Sequence, residues 1–391
     1  MKTFNHKGRM GLLVLSLLAA MGLFVAACGG DDDDDTAGAT TATGGTATRA
    51  ATGIPDDVGK DDKASLTGAG ATFPAPIYQA WFDDYNAKVA KGVKINYQAV
   101  GSGGGIQQFT ANTVQFGASD APMSDEELSK APDAQHVPTV IGAVVLTYNV
   151  DGVKEPLKLD GATIAKIYLG DVTNWDDAAI AALNPGVKLP SEKIQVVYRS
   201  DSSGTSYVFT DYLSKTSPDW KSKVGTNKAP NWPTGQGGKG NDGVTGVVKN
   251  TRNALGYVEL NYAIANKLAY ADIKNKAGKF VTPSVETASE AAAGVTLPDD
   301  YRVSITNADG ETAYPIASFT YLLLYKTTGK CEQQTPLVNM LWWVYHSADA
   351  AAAAKELDYS PLPAAVTPRI EATLKALKCD GGTKPSLQAA S

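Results

Sequence analysis

Residues 137–150 read VPTVIGAVVLTYNV, a β-branched apolar run with no helical period. It is longer than a typical strand and too apolar for a linker, so it is read as a strand that leaves one lobe and enters another. YPIASFTYLLLYK at 314–326 is a second run of the same kind and the matching return. Two such crossings make a hinge with a cleft between the lobes. A chain of 391 residues is long enough for two lobes, each with its own core. Strand-like and helix-like stretches alternate around the crossings, the pattern of α/β architecture. KINYQAV (94–100), VQFGASD (114–120) and KIQVVYRSD (193–201) read as strands, the second ending on Asp120. IQQFTANTV (106–114), SYVFTDYL (206–213), TPLVNMLWWVYH (335–346) and PRIEATLKALK (368–378) read as helices.

The N-terminus has the build of an export signal over residues 1–27. Lys2, Lys7 and Arg9 precede an apolar stretch from Gly11 to Ala27, too short to span a bilayer. Val25-Ala26-Ala27-Cys28 looks like a bacterial lipobox, in which Cys28 becomes a lipidated N-terminus that holds the chain at a membrane surface. Residues 28–64, with Asp31 to Asp35 followed by Thr, Ala and Gly, read as a disordered tether. The acidic run lacks the turn spacing of a calcium loop, so no metal is expected. The formal charge is −6, and −9 once the signal with its three cations and no acid is set aside. That balance argues against nucleic acid. It also means that any bound anion is held by local dipoles and a few charges. Cys331 and Cys379 then remain, an even pair in an exported chain and hence a candidate disulfide.

Three loops have donor chemistry. TGAGATFPAP (67–76) opens a helix that carries Ile77, Trp81 and Tyr85 on one face. Thr72 stands where an N-cap would, and Thr72 and Phe73 offer a hydroxyl and backbone N–H groups at a positive helix end. GSGGG (101–105) follows a strand and has one side-chain donor, Ser102. It is neither a Walker loop nor a full dinucleotide fingerprint. YRSDSSGTS (198–206) closes a strand with Arg199 and opens a helix with Ser203, Gly204 and Thr205. Arg199 supplies a planar fork for an oxyanion, and Asp201 can orient it. Taken alone, the first loop reads rather as a capped helix and the second equally as a flexible turn, whereas a strand-end arginine beside a donor-rich helix start favours an anion site. Asp120 matters if they converge, because a carboxylate inside an anion site selects a ligand that carries a proton: phosphate does, sulfate does not.

LTGAGATFPAP, YQAVGSGGG, ANTVQFGASDAPMSDEEL and YRSDSSGTSYVFTDYL, in this order, resemble the ligand segments of the phosphate-binding lipoproteins (PstS type) of bacterial high-affinity phosphate ABC transporters. IYLGDVTNWDDAAIAALNPGV, GGKGNDGV and YSPLPAAV are similar to further segments of that family. The resemblance implies a type II periplasmic-binding-protein fold, with lobe I from 65–144 and 312–391 and lobe II from 145–311. It implies phosphate contacts at Thr72, Phe73, Ser102, Asp120, Arg199, Ser203, Gly204 and Thr205, with Asp201 supporting Arg199. It also implies a monomer without cofactor, exported and lipid-anchored, that hands phosphate to a membrane permease. Two positions depart from the family pattern: Gly103 where a second serine is common, and Ser202 where glycine is usual. A positive φ at Ser202 would strain it.

Two other readings stay open. A phosphohydrolase using Ser203 needs a base, and the histidines are only His6, His136 and His346, without a metal-ligand pattern. A binder of another oxyanion, arsenate or sulfate, is the second; Asp120 argues against sulfate and hardly against arsenate.

Overall fold

The computed structural model describes residues 58–153 and 155–387. The export signal, Cys28 and most of the tether lie outside them. Strand pairing begins at Lys63 and Val58 is already buried, just upstream of the expected start at Ser65. The first half contributes β1 (Lys63–Gly70), α1 (Ala75–Lys88), β2 (Gly92–Ala99), α2 (Ser102–Thr110), β3 (Phe116–Ser119), α3 (Asp125–Lys130) and β4 (Ala134–Asn149). The second contributes β5 (Gln195–Arg199), α4 (Gly204–Thr216), β6 (Gln236–Gly238), α5 (Gly240–Asn250) and β7 (Ala254–Glu259). The chain then returns through β8 (Ala317–Tyr325) and α6 (Cys331–His346).

The main sheet runs β2-β1-β3-β8-β4-β7-β5-β6. Every residue of β4 except Gln135 and Asn149 is buried, which is why the run shows no polar alternation. Its first part pairs antiparallel with β8, from Ala134 opposite Tyr325 to Ala143 opposite Ala317. From Val144 opposite Glu259 onward it pairs with β7 instead. This change of partner is the crossing read from 137–150. The return passes the same point: Val144 N donates to Ile316 O at 2.8 Å, and the Tyr314 hydroxyl donates to Val144 O at 3.0 Å. Pro138 has no N–H to give the ladder, and the register shifts beside it, between Thr320 and Tyr321.

In the first half β1 pairs in parallel with both β2 and β3, the order 2-1-3 of a doubly wound sheet. In the second half β5 pairs in parallel with β6 and β7. In such sheets ligands bind beyond the carboxyl ends of the strands, where the order reverses. Thr72, Ser102, Asp120, Arg199 and Asn241 all follow or close a strand at such an end. The faces read from helical spacing are buried: Ile77, Trp81 and Tyr85 on α1, and Phe209, Tyr212 and Leu213 on α4. Cys331, opening α6, is disulfide-bonded to Cys379, with Cα atoms 5.1 Å apart.

Two local readings need correction. Thr72 does not cap α1; the N-cap is Pro74, and the Thr72 hydroxyl is engaged elsewhere. GSGGG is not a loop, because α2 begins at Ser102 and three of its glycines form the first turn. Packing is the reason. A Cβ on Gly105 would lie 2.4 Å from Gly70 Cα, and one on Gly103 would lie 2.1 Å from Ser202 Oγ.

Candidate functional site

The loops of both halves meet in one buried cluster. Thr72, Phe73, Ser102, Asp120, Arg199, Ser203 and Thr205 are each no more than 4% exposed. Ser102 Oγ accepts the N–H of Gly204 at 3.0 Å and of Asp120 at 3.3 Å. Thr72 Oγ1 accepts from Asn241 N at 3.1 Å and Asn241 Nδ2 at 3.0 Å. Thr205 Oγ1 accepts from Arg199 Nη1 at 3.2 Å and Asn241 Nδ2 at 3.4 Å. Ser203 caps α4, its Oγ accepting from Ser206 N at 3.1 Å. A hydroxyl has two lone pairs and one hydrogen. With N–H groups on both lone pairs of Thr72, Ser102 and Thr205, each is committed as a donor, and no acceptor for these hydrogens occurs among the described residues.

Backbone donors face the same way. Among the described residues the N–H groups of Thr72, Phe73 and Thr205 have no hydrogen-bond partner, although these residues are buried. Buried N–H groups are rarely orphaned, and a cluster of them at helix starts is the arrangement that an anion would satisfy. Arg199 supplies the cation. Its Nε and Nη2 donate to Asp201 Oδ1 and Oδ2 at 2.8 and 2.6 Å. Asp201 is further held by Gly240 N at 3.0 Å. Burial works against ionisation of Asp201, but the hydrogen bonds and charge of Arg199 outweigh it and hold the carboxyl below its ordinary value.

Asp120 is the exception among these donors. Oδ1 accepts from the Thr320 hydroxyl at 2.8 Å, while Oδ2 is buried with no partner among the described residues. A Cβ on Gly204 would stand 2.4 Å from both Asp120 Oδ2 and Ser102 Oγ, so only glycine lets the α4 start approach the acid. Burial raises the Asp120 carboxyl from the usual 3.8 to about 7, against the opposing pulls of Thr320 and Arg199.

Sequence reasoning placed every one of its anion-site candidates in this cluster but missed Asn241, Thr320 and Glu259. Asn241 bridges Thr72 and Thr205 and takes the Glu259 N–H on its Oδ1 at 3.2 Å. The Glu259 carboxyl, raised well above its usual range by burial, accepts from Asn261 N and the Tyr359 hydroxyl. Tyr359 OH also lies 2.7 Å from Phe73 O, and Tyr262 OH 2.5 Å from Thr72 O, so the first loop is held through its carbonyls while its N–H groups stay open. Asn241 lies in GGKGNDGV, noted only as a likeness; Thr320 and Glu259 carried no signal.

The two departures from the family pattern touch each other. The space that a Cβ on Gly103 would need is filled by the Ser202 side chain, while Gly103 N donates to Ser202 O at 3.0 Å. Ser202 is not among the residues of positive φ, so the expected strain does not arise.

A family model described as a PBP superfamily domain matches residues 36–352. The phosphate-binding protein PstS of Xylella fastidiosa is 42% identical over 332 residues, covering 84% of this chain and 90% of the relative. That of Pasteurella multocida is 44% identical over 314 residues, covering 80% and 90%. A solved high-affinity periplasmic phosphate-binding protein bound with phosphate superposes with a TM-score of 0.67 at 23% identity, covering 79% of this chain and 93% of that one. At that identity the likeness speaks for the fold, two α/β lobes joined by crossing strands, as the sequence suggests.

Proposed function

The chain belongs to the PBP superfamily and, within it, to the phosphate-binding PstS proteins, and from that premise we propose that it captures inorganic phosphate without chemical change. The reading takes 65–144 with 312–391 as one lobe and 145–311 as the other. Phosphate meets the open cleft, and donors from both lobes close on it. Thr72, Phe73, Ser102, Ser203 and Thr205 donate hydroxyl or backbone hydrogens, Gly204 lets the helix start come close, and Arg199 supplies the positive charge with Asp201 fixing its plane. The closed form delivers the ion to the membrane permease of an ABC importer. The chain acts outside the cytoplasm as a monomer, anchored through lipid on Cys28.

The observation that carries this reading is the orphaned, fully buried Asp120 Oδ2 beside the hydroxyl and backbone donors of Ser102 and the α4 start. Only a ligand that brings its own hydrogen satisfies it. Phosphate near neutral pH carries one or two protons and presents its other oxygens to the donors. Sulfate would leave the carboxylate unpaired and repelled, and sites built on such a group discriminate by roughly 10⁴–10⁵. Neither histidine of the described residues serves as a base for hydrolysis at Ser203. His136 Nε2 accepts from Met123 N at 3.0 Å and is held down to about 4 by burial, while His346 contacts Trp342 O and Glu371.

Calorimetric titration of phosphate-stripped protein with phosphate, arsenate and sulfate tests the reading. Saturable phosphate binding with sulfate far weaker is expected. Equal affinity for sulfate, or no anion binding, contradicts it.

A further inference from the structure

One contact between the halves is left unused by anion recognition. Glu127, the third residue of α3, and Lys228, in the segment after α4, are 101 residues apart in sequence. Lys228 Nζ donates to both Glu127 oxygens at 2.5 and 2.6 Å. The pair is largely shielded, with side chains 17% and 26% exposed. Each partner is tied to its own half. Glu127 Oε2 also accepts from Ser124 N at 2.9 Å, completing the capping box of α3. The carboxylate is therefore aimed before it meets the lysine and loses little further freedom on pairing. On the other side, Lys228 O accepts the Ser203 N–H at 2.8 Å. The residue that grips α3 thus also holds the N-cap of α4, whose first N–H groups belong to the site.

A second pair also spans the halves, Arg302 with Asp125 at 2.7 Å, but Asp125 is 92% exposed and open to screening. The Lys130–Glu126 pair is exposed and lies within one helix. Neither has the shielding of Glu127–Lys228.

We propose that Glu127 and Lys228 form a latch, a positioning pair made only when the cleft closes, which sets how slowly the bound anion leaves. The proposal rests on the phosphate-capture reading. An interaction present in the closed form and absent from the open one shifts the equilibrium between them by its own free energy. Losing one partner of a shielded, hydrogen-bonded pair shows itself in the dissociation rate.

The test compares wild type, Glu127→Gln, Lys228→Gln and the double variant Glu127→Gln/Lys228→Gln. Glutamine at 127 keeps an acceptor for the capping box, so α3 stays intact. Release of inorganic phosphate is followed by stopped flow, and the compactness of the ligand-free proteins by small-angle scattering. Each single variant is expected to release phosphate about tenfold faster with little change in association, and the double variant to be no faster than either single one, since the pair is already broken. The ligand-free single variants should also be more expanded than wild type. Release rates within twofold of wild type together with unchanged scattering would overturn the latch, as would a double variant in which the two single effects multiply in full. If wild type binds no phosphate, the capture reading falls by itself; scattering then decides the latch, for it if the single variants expand and against it if they do not.

Discussion

Asp201 and Asp120 both feel the charge of Arg199, yet the same kind of side chain serves opposite ends in the two places. Asp201 receives the guanidinium on both oxygens and the Gly240 N–H on one of them, so its charge is answered by the protein. Asp120 receives a single hydroxyl on one oxygen, and its other oxygen has no partner among the described residues. The first carboxyl is held below its ordinary value and the second is raised to about 7. The difference teaches that the site is not simply a positive hole. On the proposed reading, Arg199 arrives paired with Asp201, affinity rests on directed hydrogens as well as on charge, and the unanswered acid chooses the anion.

Removing the charge should have the largest effect. Arg199→Ala leaves the partly shielded Asp201 carboxylate without its partner and takes the guanidinium from the site, a loss of about 3–5 kcal/mol where such a pair is shielded. Titration should show phosphate, arsenate and sulfate weakened alike; loss confined to one anion would move selectivity to the Arg199 side. Next comes the pH dependence of the ligand-free protein. A raised acid pKa means that the folded state holds its proton more tightly than the unfolded chain. The stabilisation is therefore complete below 3.8 and is lost as pH rises through about 7. At ~1.4 kcal/mol per unit, chemical denaturation should show wild type losing about 2–3 kcal/mol relative to Asp120→Asn between about pH 5 and pH 8. Parallel curves would mean that Asp120 is not the buried acid described here.

Smaller effects sharpen the picture of donors held in place. Thr72→Val removes the acceptor for both Asn241 bonds, and unsatisfied buried donors cost about 1–3 kcal/mol. Phosphate affinity should fall by about tenfold or more, with the phosphate-to-sulfate ratio unchanged. The smallest change is expected for the exchange Gly103→Ser/Ser202→Gly, which moves one hydroxymethyl group across a contact. The double variant should melt close to wild type while Gly103→Ser alone is destabilised, since its Cβ would lie 2.1 Å from Ser202 Oγ.

Much of this arrangement was legible in the chain. The crossings showed because a strand buried on both faces has no polar alternation, and because each run was too long to be ordinary. Asp120 and Arg199 could be seen as strand-end residues next to donor-rich turns. The rest was hidden for physical reasons. Thr320 lies inside an apolar run, where nothing marks a threonine as partner to an acid 200 residues earlier. Asn241 stands among glycines that suggest only a turn, and its role needs Thr72 and Thr205 beside it. The start of α2 is hidden because glycines read as loop formers, whereas here they let the helix start lie against β1 and Ser202. That Gly103 and Ser202 compensate each other is a tertiary fact with no local trace.

The most direct test of the central claim is calorimetric titration of Asp120→Asn with phosphate and sulfate beside wild type. The amide keeps the shape of the acid but can donate to an unprotonated oxygen. Sulfate should gain affinity and phosphate lose it, so that their ratio collapses by orders of magnitude. An unchanged ratio would show that Asp120 does not read the proton on the ligand.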